Sequence, residues 1–146
     1  RKHIELTMSL GEAVAEVWGN SEAARDMIEE LLANAVDYTA QGGRIDVRLR
    51  RYEHAACLQI TDTGMGIATS EQTKVFDEFY RTDGARIANP VGFGLGLSKA
   101  RRICEIHGWN IRTESEAGRG TTFEVCLSLA RSVPVGTAPA VCVPAQ

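Results

Sequence analysis

Hydrophobic and polar residues alternate along several stretches of the chain. Alternation with a period of two is typical of a strand that buries one face. It predicts strands near residues 3–9, 45–50, 56–60, 109–113 and 123–129, the first of them half-buried. Short polar connections between such strands favour antiparallel neighbours. The positions predicted to face inward are Ile4, Leu6, Met8, Ile45, Val47, Leu49, Ala56, Leu58, Ile60, Trp109, Ile111, Thr113, Phe123, Val125, Leu127 and Leu129.

Two other stretches repeat their apolar residues every three or four positions, which predicts helices. The first follows the capping pair Asn20-Ser21 and runs to about Tyr38. The second runs from about Leu95 to His107, where Gly108 supplies the left-handed C-terminal residue. The apolar stripe of the first helix contains Ala24, Met27, Ile28, Leu31, Leu32, Ala35 and Val36.

Between these helices, residues 62–94 show little regular pattern apart from a short helix predicted around residues 71–76. Loops of this length in compact domains usually bind a ligand or cover a site. The elements together predict an α+β fold of two layers, in which helices cover one face of a mixed, mostly antiparallel sheet.

The chain has 146 residues, which suits one domain. We assign that domain to residues 1–130. Residues 131–146 contain three of the four prolines and are predicted to form a loosely ordered tail. The chain does not begin with Met, so we expect an excised or processed piece of a longer protein.

Charge and cysteine content narrow the function classes. The formal net charge of −3 gives no reason to expect nucleic acid or an anionic membrane surface as a partner, and no apolar run is long enough to span a membrane. The cysteines contain no C-x-x-C pair, so neither a zinc site nor a disulfide framework is predicted. Free, buried thiols in a reducing cytoplasm are expected for Cys57, Cys104, Cys126 and Cys142.

Glycines cluster in two runs, Asp62–Ile67 and Gly92–Leu97. The second is neither a dinucleotide-binding fingerprint nor a Walker A loop, because it does not directly follow a strand and no Gly-Lys-Ser/Thr follows it. A glycine-rich loop that opens a helix nevertheless exposes backbone N–H groups that suit phosphate oxygens. The alternative is a flexible hinge.

Two further features carry candidate chemistry. Asp62 ends an apolar strand, where its carboxylate could accept a hydrogen bond from an exocyclic amine; the alternative is an ordinary Asp-Thr-Gly turn. Glu30, Asn34 and Asp37 share one face of the first helix. An amide oxygen there suits Mg²⁺, although a solvated polar face is the alternative.

In their order and spacing, these runs resemble the conserved boxes of bacterial sensor histidine kinases. Residues 30–39 resemble the N-box, 62–67 the G1 box, 75–81 the F-box, 92–97 the G2 box and 118–123 the later G-T-T-F element. The chain is therefore similar to the ATP-binding catalytic domain of these kinases, from about residue 3 to 129. That resemblance implies the Bergerat fold, a two-layer α/β sandwich shared with gyrase, Hsp90 and MutL.

The resemblance also implies the site. Glu30, Asn34 and Arg81 would be catalytic, with Asn34 as the Mg²⁺ ligand and Arg81 reaching toward the phosphates. Asp62 would bind the adenine amine and Tyr38 would lie against the ring. Residues 82–91 would form the ATP lid. The residues implied to contact ATP are Asn34, Tyr38, Asp62, Gly64, Gly66, Ile67, Phe79, Arg81, Gly92, Gly94, Leu95, Gly96, Leu97 and Thr121.

The implied activity is transfer of the γ-phosphoryl group of Mg-ATP to a histidine on a separate dimerisation domain of the same kinase, with a response regulator as indirect partner. The chain itself would be monomeric. It would be cytoplasmic, or the cytoplasmic part of a membrane-bound sensor, and would contact neither membrane nor nucleic acid. None of His3, His54 and His107 lies in an H-box context, so we predict no autophosphorylation by this chain alone.

The sequence departs from the family pattern at two positions. Asp37 stands where the family often has lysine, and its charge would repel phosphate, so we expect it to turn away or to reach the metal indirectly. Glu30 stands where kinases often have Asn and the ATPase branch has a water-activating Glu. Glu30 could assist proton removal from the incoming histidine, activate water, or only hold Asn34 or a water.

Three alternative functions follow. The first is an ATPase module that uses Glu30 as base, and the second is an anti-sigma-type serine kinase, against which the complete segment from Phe76 to Arg81 argues. The third is a degenerate nucleotide sensor, against which the intact Asn34, Asp62 and glycine loop argue.

Overall fold

The fold is a five-stranded sheet covered on one face by two long helices. The structure, a computed structural model, describes residues 2–11 and 15–130 and the backbone of residues 140–143. The strands are β1 (Glu5–Ser9), β2 (Ala15–Trp18), β3 (Arg44–Arg51), β4 (Ala55–Asp62), β5 (Asn110–Glu116), β6 (Gly120–Ser128) and β7 (Ala140–Val143). The helices are α1 (Ser21–Tyr38), α2 (Asp83–Ala88) and α3 (Gly96–His107), with two 3₁₀ turns at Thr69–Glu71 and Lys74–Phe76.

Strand order in the main sheet is β1-β3-β4-β6-β5, in which only the β1–β3 pair is parallel. This confirms the predicted mixed, mostly antiparallel sheet. The face that packs against α1 and α3 carries the alternating apolar residues, with Ile45, Ile60, Phe123 and Val125 almost fully buried. The predicted inward positions of β3, β4 and β6 therefore form the core, as period-two burial requires.

Both long helices begin and end near the predicted residues. The side chain of Asn20 accepts a hydrogen bond from the backbone N–H of Ala23, at 3.0 Å, and so caps α1. Gly108 ends α3 in the left-handed conformation, with φ of 67°. The stripe of α1 faces the core through Ala24, Met27, Leu31 and Ala35. No helix in the described part of the chain is long and apolar enough to cross a membrane.

The opposite face of the sheet is polar and carries a disulfide. β4 and β6 pair in a register that sets Cys57 opposite Cys126, and the two sulfurs are bonded. The prediction that all four cysteines are free thiols is therefore wrong for this pair. Their spacing of 69 residues gave no signal, because only the pairing of the two strands brings them together. Cys104 is free and buried, and burial raises the pKa of its thiol to about 12.

Three other local predictions need correction. β1 is not half-buried: Leu6 is 58% and Met8 62% exposed, because β1 lies at the sheet edge. The short helix predicted around residues 71–76 is a pair of 3₁₀ turns. The predicted irregular segment of residues 62–94 contains α2, which Thr82 caps by accepting from the N–H of Ala85.

A two-stranded antiparallel sheet joins β2 to β7, so residues 140–143 of the predicted tail form a strand. Residues 131–139 and 144–146 of that tail lie outside the described residues. β2 also bridges to the end of the main sheet through Val17 and Leu129. We did not predict either strand of this small sheet.

Candidate nucleotide site

A cavity of about 780 Å³ opens between α1, the end of β4, the lid (residues 82–91) and the start of α3. This volume lies within the range of ligand sites, roughly 300–1,000 Å³. All of the sequence-predicted site residues line it except Gly64 and Phe79. Those that do are Glu30, Asn34, Tyr38, Asp62, Gly66, Ile67, Arg81, Gly92, Gly94, Leu95, Gly96, Leu97 and Thr121.

One end of the cavity is formed by Asp62, the last residue of β4, which is only 4% exposed. Its Oδ1 accepts a hydrogen bond of 2.8 Å from the backbone N–H of Gly64, and the backbone of Thr121 donates to it as well. Burial raises the pKa of the Asp62 carboxyl, and these two hydrogen bonds oppose that shift. The result is a buried acceptor whose orientation is fixed by two backbone N–H groups.

Glycine is required beside Asp62 because another backbone segment passes very close. Gly66 has φ of 68°, and a Cβ on it would lie 2.0 Å from the carbonyl oxygen of Glu116. A side chain at position 66 would therefore be strained and would collide with backbone. Gly64 does not line the cavity, but its N–H orients Asp62, so it contributes indirectly.

The polar face of α1 forms the side wall. Lys99 on α3 pairs with Glu30 at 3.2 Å and with Asp26 at 3.3 Å. Hydrogen bonds to these two carboxylates raise the pKa of Lys99. Glu30 also lies against the start of α3, since a Cβ on Gly96 would be 2.7 Å from its Oε2. The cation of Lys99 thus holds Glu30 at the cavity edge.

The amide of Asn34 lines the same wall and has no hydrogen bond to another described residue. The described residues contain no cluster of three or more His, Cys, Asp or Glu side chains that could hold a metal by themselves. One free amide oxygen near a carboxylate nevertheless fits Mg²⁺, which takes few protein ligands and completes its shell with water and phosphate.

The opposite end of the cavity is formed by the glycine loop and the start of α3. Gly94 has φ of 74°, and its carbonyl accepts from the N–H of Phe79 at 2.9 Å. Leu95, the N-cap residue that precedes α3, has an apolar side chain that forms no capping hydrogen bond. The first N–H groups of α3 therefore face the cavity without a capping side chain, an arrangement that suits an anion.

The lid closes over this end through side-chain contacts. The guanidinium of Arg81 donates to the carbonyl oxygens of Ala85, at 2.8 Å, and Asn89. Asp37 accepts a hydrogen bond of 2.9 Å from the side-chain amide of Asn89. Asp37 is thus turned to the lid, whereas Phe79 points outward and is 68% exposed.

Several residues of the site were missed from the sequence. Ser115 Oγ accepts a hydrogen bond of 2.8 Å from the N–H of Ile67 and also contacts Thr121. These contacts link β5 to the glycine run of residues 62–67. Asn89 and Lys99 bond to the predicted α1 face from the lid and α3. Lys99 could have been found from its place one turn into the helix that follows the glycine loop. Ser115 and Asn89 gave no such signal.

Comparison with known proteins assigns the chain to one protein family. Residues 19–131 match the family described as histidine kinase-, DNA gyrase B-, and HSP90-like ATPase. The chain is 37% identical over 133 residues to sensor histidine kinase RppB of Synechocystis sp., covering 91% of this chain and 29% of that protein. It is 38% identical over 123 residues to sensor protein SrrB of Staphylococcus aureus, covering 84% and 21%. The chain therefore spans less than a third of the length of these relatives.

Solved structures agree with the sequence relatives. The mycobacterial sensor histidine kinase MprB superposes with a TM-score of 0.75 at 29% identity, over 86% of this chain and 82% of that one. Full-length ShkA, solved in complex with AMPPNP, has a TM-score of 0.74 at 22% identity, over 87% of this chain and 26% of that one. At this lower identity the likeness shows a shared fold.

Proposed function

The chain belongs to the histidine kinase-, DNA gyrase B- and HSP90-like ATPase family, and from this premise we propose that it binds Mg-ATP and donates the γ-phosphoryl group to a histidine of a separate dimerisation domain. The observation that carries the proposal is that the two ends of the cavity offer opposite hydrogen-bonding groups, an acceptor at one end and donors at the other. A buried carboxylate, Asp62, lies at one end, and the uncapped start of α3 lies at the other. An adenine with a triphosphate has the matching arrangement of amine and anion.

At the base end, Asp62 accepts a hydrogen bond from the exocyclic amine of adenine. The proposal is supported by the burial of Asp62 and by the two backbone N–H groups that orient it. A base that lacks this amine removes one donor from a buried carboxylate, which then keeps only its two backbone N–H partners, and losing a hydrogen bond at a buried acceptor is costly. Ile67 and Tyr38 line the cavity beside it and offer apolar surface to the flat ring.

At the phosphate end, the backbone N–H groups of Gly96 and Leu97 donate hydrogen bonds to the phosphate oxygens. Arg81, which directly precedes the lid, turns its guanidinium toward the same oxygens. Because the whole chain has a formal net charge of −3, affinity for a polyanion must come from such local groups. Asn34 would hold Mg²⁺, which supplies charge neutralisation to the phosphates when bound. Phosphoryl transfer needs mainly this positioning and neutralisation.

Glu30 has the position of a base at the same wall. We propose that it assists proton removal from the incoming histidine, while its ion pair with Lys99 fixes its orientation. A carboxylate beside Mg-ATP could instead activate water, which is the ATPase alternative. We also propose that the chain acts within a longer sensor kinase on the cytoplasmic side, as a monomeric unit, with a response regulator as indirect partner.

Label transfer from γ-labelled ATP tests the proposal. Wild-type chain is mixed with the histidine-bearing dimerisation domain of its own kinase, supplied separately, and acid-labile label on that domain is counted. We expect label only when both are present, and at least about tenfold less with Glu30→Gln or Asn34→Ala. Glu29→Gln, an exposed change one position along α1, is the control and keeps the wild-type rate.

The same reactions report on the alternatives. Phosphate release without transfer to the histidine domain, abolished by Glu30→Gln, would replace the kinase proposal with the ATPase function. Label on the chain in the absence of the second domain would contradict the prediction that it does not phosphorylate itself. Unchanged rates of transfer and hydrolysis for Glu30→Gln would remove Glu30 from the chemistry.

A further inference from the structure

We propose that Asp37 is a positioning residue for the lid: its carboxylate holds α2 over the cavity through the side chain of Asn89. This inference rests on the proposed function, since it gives the lid contact a part in nucleotide binding. It also explains why an anion can occupy a position so close to the proposed phosphate site. Asp37 acts on the lid, and through the lid on the ligand.

The contact joins a rigid element to a short one. Asp37 lies in the last turn of α1, an 18-residue helix whose inner face is in the core. Asn89 is the C-terminal cap of the six-residue α2, and its backbone N–H bonds to the carbonyl of Ala85 at 3.0 Å. Its side-chain amide then donates to Asp37 Oδ2 at 2.9 Å, across 52 residues of chain. One hydrogen bond therefore ties the end of α2 to the core layer.

Arg81 provides the second tether. Its guanidinium donates to the carbonyl oxygens of Ala85 and Asn89 at the end of α2. The segment is closely packed there, because a Cβ on Gly92 would lie 3.0 Å from Arg81 and 3.2 Å from Asn89. If Arg81 turns to the phosphates, as proposed above, it gives up these carbonyls. The bond between Asp37 and Asn89 then remains to keep α2 in place.

Two interpretations of Asp37 predict opposite changes in ATP affinity when its carboxylate is removed. If its main effect on ATP were charge repulsion, removing the carboxylate would tighten binding, and Asp37→Asn and Asp37→Ala would behave alike. If it positions the lid, Asp37→Ala weakens binding. Asp37→Asn keeps an oxygen that can accept from Asn89, so it restores the contact without the charge.

The first experiment needs no nucleotide. Arg86 is an exposed trypsin site within α2, so the rate of cleavage after it reports how often the lid opens. We expect Asp37→Ala and Asn89→Ala to be cut about fivefold faster than wild type, with no further gain in the double variant. Asp37→Asn should stay within about twofold. Glu29→Ala, which removes the same charge from the exposed side of α1, is the control.

The second experiment is calorimetric titration of the same variants with Mg-ATP. We expect Asp37→Ala and Asn89→Ala to raise the dissociation constant about threefold to tenfold, and Asp37→Asn to restore most of the affinity. Tighter binding by Asp37→Ala, or cleavage after Arg86 at the rate of Glu29→Ala, would overturn the inference. If wild type binds no ATP, the proposed function fails, whereas the cleavage rates still decide whether Asp37 holds the lid.

Discussion

The two ends of the cavity are built in different ways. The base end is formed by strand ends and their connections, where Asp62 is 4% exposed and is oriented by backbone N–H groups. The phosphate end is formed by the glycine loop and the start of α3 and is covered by the lid; Ile87 and Val91 of the lid are both 81% exposed, and Phe93 of the loop is 78% exposed. A few side-chain hydrogen bonds hold that end closed. The base end should therefore open only when the sheet unfolds, whereas the lid should open while the sheet stays folded.

The largest difference between the two ends is expected in the free energy of unfolding when one glycine at each end is replaced by alanine. Gly66→Ala forces a side chain into a left-handed conformation and against the carbonyl of Glu116. We expect it to lower the free energy of unfolding by about 4 kcal/mol. Gly84→Ala lies in α2, where the added Cβ would lie 3.2 Å from the flexible side chain of Met65 and in ordinary contact, at 3.9 Å, with Thr82 Oγ1. It should change stability by less than about 1 kcal/mol.

Urea unfolding of the two variants measures this contrast. Gly118→Ala serves as a control for the backbone term alone, because Gly118 has φ of 83° and nothing near its added Cβ. Its cost should be about 1–2 kcal/mol, between the other two. Equal losses for Gly66→Ala and Gly84→Ala would mean that the two ends do not differ in rigidity.

The disulfide sharpens the same contrast. It links β4 and β6, the strands that end at Asp62 and begin beside Thr121, on the face away from the cavity. Replacing Cys57 and Cys126 together by serine should lower the free energy of unfolding by about 3 kcal/mol, since the bond closes a long loop. Cleavage at Arg86 in the folded state should keep its wild-type rate, because lid opening does not separate these strands. Faster cleavage would show that the lid and the sheet open together.

The smallest expected effect is a pH dependence confined to the base end. Because burial raises the pKa of Asp62 in the folded state, its contribution to stability is present at low pH and is lost as pH rises through that raised pKa. Asp62→Asn removes this loss. The difference in unfolding free energy between Asp62→Asn and wild type should therefore grow in favour of the variant from pH 3 to pH 8. A constant difference across that range would contradict the direction of the shift.

The sequence predicted most strands and both long helices well because the signals for them are local. Strand alternation, the cap at Asn20 and the left-handed Gly108 each follow from a few neighbouring residues. The glycine runs likewise mark places where backbone segments must approach closely, and the structure gathers them around one cavity. Family boxes then gave the order in which these segments meet.

The remaining features depend on contacts between distant residues. Cys57 and Cys126 meet only through strand pairing, and Asp37 meets Asn89 only when the lid folds back onto α1. The exposure of Leu6 and Met8 follows from the place of β1 at the sheet edge, although their alternation predicts a half-buried strand. Periodicity reports what a strand could bury, and the position in the sheet decides what it does bury.

The central claim is that Asp62 recognises adenine by accepting a hydrogen bond from its exocyclic amine. Calorimetric dissociation constants for ATP and inosine triphosphate test it most directly, because the second nucleotide carries a carbonyl in place of that amine. Wild type should prefer ATP by about tenfold or more, whereas Asp62→Asn, whose amide can both donate and accept, should lose that preference. Asp46→Asn, on the opposite face of the sheet, should keep it. A preference for ATP that persists in Asp62→Asn would contradict the account.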